Sequence, residues 1–241
     1  MNTRLLARGV ATLTLTAGLG LAGSVAVDAA ATPSPTAAPH AVTLATLKAR
    51  CNVALQRRLG TLAADDTFVK DSAALSSGDR TAFEGQISAD QQGLTALDAT
   101  IQGDTTYQQA WADCQTLVTG YRVYVLENPK IHEVIAADGV AKVDETFSSL
   151  IPELQSLINN SSVPATVRAE AQADLNDLTS RVDASQTSVS GVSSSVINLT
   201  PAGWPGNQVD LKSAAQNIKT ARTDLAGAGA DANHIIQLIG A

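Results

Sequence analysis

The sequence has few of the residue types from which metal sites and catalytic centres are built. Its 241 residues include three His, two Cys and one Met, and aromatic residues make up 3%. His40, His132 and His234 each stand without a second histidine at the spacing of metal ligands. A site using Glu133 and Asp138 beside His132 is the alternative, but His132 and Glu133 are neighbours that point apart on a helix. We therefore expect no metal site.

Two common catalytic motifs are also missing. No serine lies in a glycine-flanked nucleophile elbow with a partner base in view, and no glycine-rich loop leads to a lysine as in phosphate-binding loops. The sequence therefore predicts no cofactor and no enzymatic activity.

Basic residues are in the minority. The chain has 16 Lys and Arg against 23 Asp and Glu, for a formal net charge of −7 at pH 7. Proteins that bind nucleic acid or lie on anionic membranes typically carry a basic excess, because both partners are polyanions. The composition therefore argues against both partner classes, and the acidic balance favours solubility.

The chain has no long apolar run except near its first residue. Residues 1–30 have the pattern of a secretory signal peptide, with Arg4 and Arg8 ahead of an apolar run over 9–27 and small residues near Ala29-Ala30. A membrane anchor is the competing interpretation, because the run is nearly long enough to span a bilayer. We expect cleavage near Ala29-Ala30, no stable membrane span afterwards, and a secreted or cell-envelope location.

The rest of the chain divides into a linker and a domain. Residues 31–43 are rich in Pro, Ala and Thr and have no apolar period, which predicts an extended linker. Residues 44–241 form the predicted helical domain. Cys51 and Cys114 are the only cysteines, and in an exported chain they favour one disulfide. The alternative is two buried free thiols that act as small apolar groups.

Apolar residues recur through the domain at steps of three and four, which places them on one face of an α-helix. The pattern predicts an all-α, elongated up-and-down bundle of about six amphipathic helices with coiled-coil-like packing. Pro152 is expected to kink or split the fourth helix. The expected breaks between helices fall at residues 76–79, 103–104, 128–129, 159–162 and 198–207.

The third helix carries the most distinctive stripe, formed by Tyr107, Trp111, Cys114, Val118, Tyr121 and Val125. We expect that face to be buried against other helices. If the first helix turns back at Ser77-Gly78 and the third begins at Asp104, the two cysteines differ in height by roughly 15 Å. A disulfide cannot bridge that distance. We therefore expect the first helix to bend or break at Asp65-Asp66, where its stripe is interrupted.

Five residues are candidates for a binding site. Tyr121, Arg122 and Tyr124 lie in the third helix, His132 lies in the fourth, and Trp204 lies in the last loop. The alternative for the tyrosines is a core role, since aromatics at helical spacing are usually buried and their hydroxyls find partners at the edge. Trp204 is either an exposed anchor, because Trp is common in binding hot spots, or a cap over one end of the bundle.

Most of the predicted mature chain resembles a known group of proteins. The leader, the Ala/Thr-rich linker, the cysteine pair, Tyr121-Arg122-Val123-Tyr124, Pro129 and Ala136-Ala137-Asp138 are similar to uncharacterised secreted helical proteins of actinobacteria. The resemblance implies an extracytoplasmic helical protein without an established activity. It transfers no functional residue to this chain.

Two functional hypotheses follow. The first is an exported, non-enzymatic helical bundle that contacts another protein, a cell-envelope component or a second copy of itself through an apolar helix face. The alternative is a small-molecule binder or cryptic enzyme with a pocket between the third and fourth helices around Tyr124. That alternative requires Arg122, Tyr124 and His132 to converge on one cavity.

Overall fold

The computed structural model describes residues 42–160 and 162–240. The predicted signal peptide and residues 31–41 of the predicted linker lie outside the described residues. Every regular element in the described ranges is helical. The elements are α1 (Leu44–Asp71), α2 (Ser77–Gly103), α3 (Tyr107–Thr119), a π-helical segment (Val123–Glu127), α4 (Asn128–Ile158), α5 (Ala165–Val189), α6 (Val192–Ile197), a 3₁₀ turn (Pro201–Gly203) and α7 (Asn207–Gly240).

The five long helices α1, α2, α4, α5 and α7 pack into a bundle, as the sequence predicts for an all-α fold. The shorter α3 packs against α1 and α2, while α4, α5 and α7 pack on one another, with α5 and α7 making the most extensive pairing. Buried residues of α7 alternate at steps of four and three because a helix turns once every 3.6 residues. The predicted coiled-coil-like packing stays a prediction.

Side-chain caps fix where the first three helices begin. Thr43 and Ser76 accept hydrogen bonds from backbone N–H groups three residues ahead, at 3.2 and 3.1 Å. Thr106 and Gln109 form a reciprocal capping box at the start of α3, so this helix begins later than the expected Asp104. Caps of this kind are each worth about 1 kcal/mol because they satisfy N–H groups that the helix leaves without partners.

The predicted third helix is interrupted. It ends at Thr119 with Gly120 as its cap, Arg122 takes the left-handed conformation with φ 46°, and the chain continues as the π-helical segment. Gly120 and the β-branched Val123 and Val125 favour helix weakly, so packing decides the path. The predicted fifth helix also stops early, because Gly191 takes φ 74° before α6. By contrast, α4 is continuous through Pro152, so this proline does not split the helix, and the alternative of a kink stays a prediction.

The two cysteines lie at disulfide distance, and no break in α1 is needed to bring them there. Their Cα atoms are 5.8 Å apart, although α1 is continuous through Asp65-Asp66. The predicted break is wrong because the ends of the helices were misplaced. α1 ends at Asp71 and α3 begins at Tyr107, so both helices are shorter than expected and non-helical residues connect them to α2. With these ends, Cys51 and Cys114 lie at similar heights along the bundle.

Asp65 itself explains why the apolar stripe of α1 is interrupted without a break. Its side chain is buried at the contact with α4, and Asn128 Nδ2 donates a hydrogen bond to Asp65 Oδ1 at 2.8 Å. Burial raises the pKa of this carboxyl, and the Asn128 hydrogen bond acts in the opposite direction. The polar residue is therefore a buried, hydrogen-bonded contact between two helices.

Candidate functional site

A groove of about 580 Å³ runs between α1 and α3 over the cysteine pair, and we call it the α1–α3 groove. Leu47, Cys51, Cys114 and Leu117 are buried along its length. Its outer wall is the exposed face of α3. That face carries Tyr107, Trp111 and Val118, which are 37%, 49% and 52% exposed.

The exposure of this wall corrects the prediction that the apolar face of α3 is buried. Only Cys114 of the predicted stripe is buried; Tyr107, Trp111, Val118 and Val125 are exposed, and Tyr121 is half-buried. The reason is the position of α3 at the edge of the bundle, where it packs against α1 and α2. The rings of Tyr107 and Trp111 stack at a centroid distance of 6.4 Å with an interplanar angle of 8°. A flat aromatic wall results.

The α1 side of the groove carries two positive charges. Arg50 and Arg58 line it, and no Asp, Glu or His does. Arg58 Nη1 donates to the carbonyl oxygen of Ala54 at 2.9 Å, and its guanidinium lies 5.2 Å from the centroid of the Tyr124 ring. Sequence reasoning did not single out either arginine. The one sequence signal for them is that both lie beside the apolar stripe of α1.

A second, polar cleft of about 280 Å³ lies among α2, α4 and residues 197–201. Lys130 and Glu127 form a buried ion pair of 2.8 Å, and Lys130 Nζ also donates to the carbonyl oxygen of Leu199 at 3.2 Å. Burial, and then the charge of Glu127, raise the pKa of Asp90 to about 6, while Lys130 opposes the shift. These contacts fasten the loop before α7 to the rest of the bundle.

The predicted site residues fall into separate groups. Arg122 Nε donates to the carbonyl oxygen of Pro201 at 3.3 Å, and the Arg122 guanidinium lies 5.3 Å from the Trp204 ring. Trp204 is half-buried. The structure therefore places the Arg122 side chain against Trp204, which lies in the last loop.

The other three candidates have different partners. Tyr121 is half-buried in close contact with Gly93, and burial, followed by the charge of Asp90, raises its pKa. Tyr124 lies under Arg58, and the exposed His132 ring lies 5.0 Å from Phe68. Arg122, Tyr124 and His132 thus lie against different neighbours.

Within residues 42–160 and 162–240, no group of three or more His, Cys, Asp or Glu is placed to hold a metal ion. None of the helices in those ranges combines the length and apolar character needed to cross a membrane. Comparison with protein-family models, curated protein sequences and solved structures gives no match to this chain.

Proposed function

We propose that this chain is an exported, non-enzymatic binding protein that holds an apolar component of the cell envelope in the α1–α3 groove. One observation carries the proposal: large apolar side chains stand exposed along a groove whose volume falls within the range of about 300–1,000 Å³ typical of ligand sites. Exposed Trp and Tyr side chains are common anchors of binding surfaces because they bury a large area with few rotatable bonds.

The chemistry of the lining favours binding over catalysis. Apart from its two arginines, the groove is lined by apolar residues, the two bridged cysteines and the uncharged Gln115 and Thr119. The groove offers the weak acid Tyr107, but none of the His, Asp or Glu side chains that most often act as general acids and bases. A lining without them supports a role in holding a molecule.

A neutral hydrophobic dye tests the groove as a binding surface. We expect Nile red fluorescence to rise with the wild-type protein and to fall several-fold for Val118→Ser and Trp111→Ser. Val209→Ser is the matched control, because Val209 is 67% exposed on α7 and lies outside the groove. An equal loss in the control, or no dye signal with the wild type, would contradict the proposal.

Export is tested separately. Mass spectrometry of the protein from the culture medium and the cell-envelope fraction should give a chain that begins close to Ala30. An intact chain with Met1 in the cytoplasmic fraction would contradict export and would leave the groove proposal standing.

A further inference from the structure

We propose that the ligand of the α1–α3 groove is a single-chain anionic amphiphile, a long-chain fatty carboxylate. Its carboxylate pairs with Arg58 at one end of the groove, and its alkyl chain lies along the apolar floor against Trp111 towards Leu47. This inference rests on the proposed function and names the ligand class for the same site.

The charge of the groove is opposite to that of the protein. The chain carries a formal net charge of −7, yet the groove is lined by two arginines and by no acidic residue. Among the residues that the structure describes, neither Arg50 nor Arg58 forms an ion pair. Two positive charges beside an apolar surface favour a ligand with an apolar part and an anionic part.

The contacts of Arg58 leave it able to bind a carboxylate. Its Nη1 donates to the Ala54 carbonyl, and the ring of Tyr124 lies against its guanidinium, so the group is oriented before a ligand arrives. A guanidinium has five N–H donors and pairs with a carboxylate through two parallel hydrogen bonds. One backbone contact therefore leaves donors for a ligand.

The groove suits a single alkyl chain. It follows α1 from Leu47 to Arg58, which at about 1.5 Å per residue is on the order of 16 Å. Each methylene that leaves water for an apolar floor strengthens binding about fourfold. An alkyl chain that lies lengthwise can use most of this floor.

A second copy of the chain fits the same surface poorly. A two-fold symmetric dimer uses the same patch on both subunits. Docking groove to groove would bring Arg50 and Arg58 of one copy towards the same two arginines of the other, with no acidic residue in the lining to compensate. Like charges at a desolvated interface weaken association.

The test compares amphiphiles that differ in the head group alone. A Trp204→Phe background leaves Trp111 as the only tryptophan, so its fluorescence reports on the groove. Dodecanoate and dodecyltrimethylammonium are titrated below their micellar concentrations, and dodecanol is titrated below its solubility limit. We expect dodecanoate to bind about tenfold more tightly than dodecanol, because a charged hydrogen bond adds to the same apolar burial, and the cationic amphiphile to bind weakest.

Arginine variants then test where the carboxylate lies. Arg58→Gln should remove most of the preference for dodecanoate over dodecanol. Arg50→Gln removes a charge about 12 Å away along α1 and should reduce the preference less, and the double variant should abolish it. Arg57→Gln is the matched control, since Arg57 is exposed on the same helix but does not line the groove. Arg50 is also exposed, so its substitution keeps the test usable if Arg58→Gln unfolds.

Four results would overturn the inference. Equal affinity for dodecanoate and dodecanol, or an equal loss in Arg57→Gln, would remove the role of the two arginines. If Nile red binds but neither dodecanoate nor dodecanol does, the proposed ligand class is wrong and the proposed function stands. A dimer in light scattering whose Trp111 is shielded from acrylamide quenching would assign the groove to a second copy.

Discussion

Among single residues, Asp90 in the polar cleft makes the stability of the protein depend on pH. Its pKa is raised from 3.8 to about 6, so between these values the folded protein binds more protons than the unfolded chain. The free energy of unfolding therefore falls as pH rises through this window, and the loss is complete above it.

Replacing Asp90 by Asn should remove this penalty. We expect Asp90→Asn to be more stable than the wild type by about 1–2 kcal/mol at pH 7.5, a value reduced from the full shift because the side chain is partly solvated. The difference should vanish near pH 4. Urea unfolding at both pH values measures it, with Asp183→Asn on the exposed face of α5 as the control for loss of one acidic charge. The same stability difference at both pH values would contradict the assignment.

At the scale of elements, two glycines of α2 should respond in opposite directions to the same substitution. A Cβ at Gly85 meets nothing within 4 Å, whereas a Cβ at Gly93 would lie 2.5 Å from the Tyr121 hydroxyl and 3.0 Å from Cε1 of its ring. Gly85→Ala should raise the free energy of unfolding by roughly 0.5–1 kcal/mol through helix propensity. Gly93→Ala should lower it by about 1–3 kcal/mol through overpacking.

The contact with Tyr121 has its own check. Tyr121→Phe removes the nearest atom, so combining it with Gly93→Ala should recover part of the lost stability in urea unfolding. Equal stabilisation by both alanine substitutions would mean that the Tyr121 ring moves aside freely.

The helices also show how much of the fold can be predicted from the sequence. The apolar period predicts the long helices and their all-α packing, and residues such as Ser76 and Gly103 mark their ends. The stop after Thr119 could not be predicted, because Gly120 alone is tolerated in many helices and the left-handed Arg122 depends on packing elsewhere in the chain. The stripe of α3 shows which face is apolar, but a period cannot show whether another helix of the described residues covers that face.

At the scale of the whole molecule, the cysteine pair joins residues 63 positions apart in sequence. Removing it as Cys51→Ala with Cys114→Ala should lower the free energy of unfolding by about 2–4 kcal/mol, since the unfolded chain regains the freedom of that loop. Urea unfolding measures the change, and reduction of the wild type should give a similar loss. A change below 1 kcal/mol would mean that packing alone holds α1 against α3.

The candidate site was the least predictable part of the molecule. Cys51 and Cys114 were paired from their number and the expected compartment, and Trp111 and Val118 were found but assigned to the core. The five proposed binding residues are aromatic or charged residues of the third helix, the fourth helix and the last loop, and the break after Thr119 sends Arg122 and Tyr124 to different neighbours. The position at which a helix ends determines which side chains come into contact. Helix ends in turn depend on packing across the whole fold.

The bridge between Cys51 and Cys114 also closes a ring of chain that contains α2 and the connection at residues 72–76, in which Ala73 and Ser76 are exposed. A protease that cut this connection once would make two fragments that remain covalently joined. The fragment that carries α1 could not diffuse away from the one that carries α3, so a nicked molecule would keep both sides of its groove.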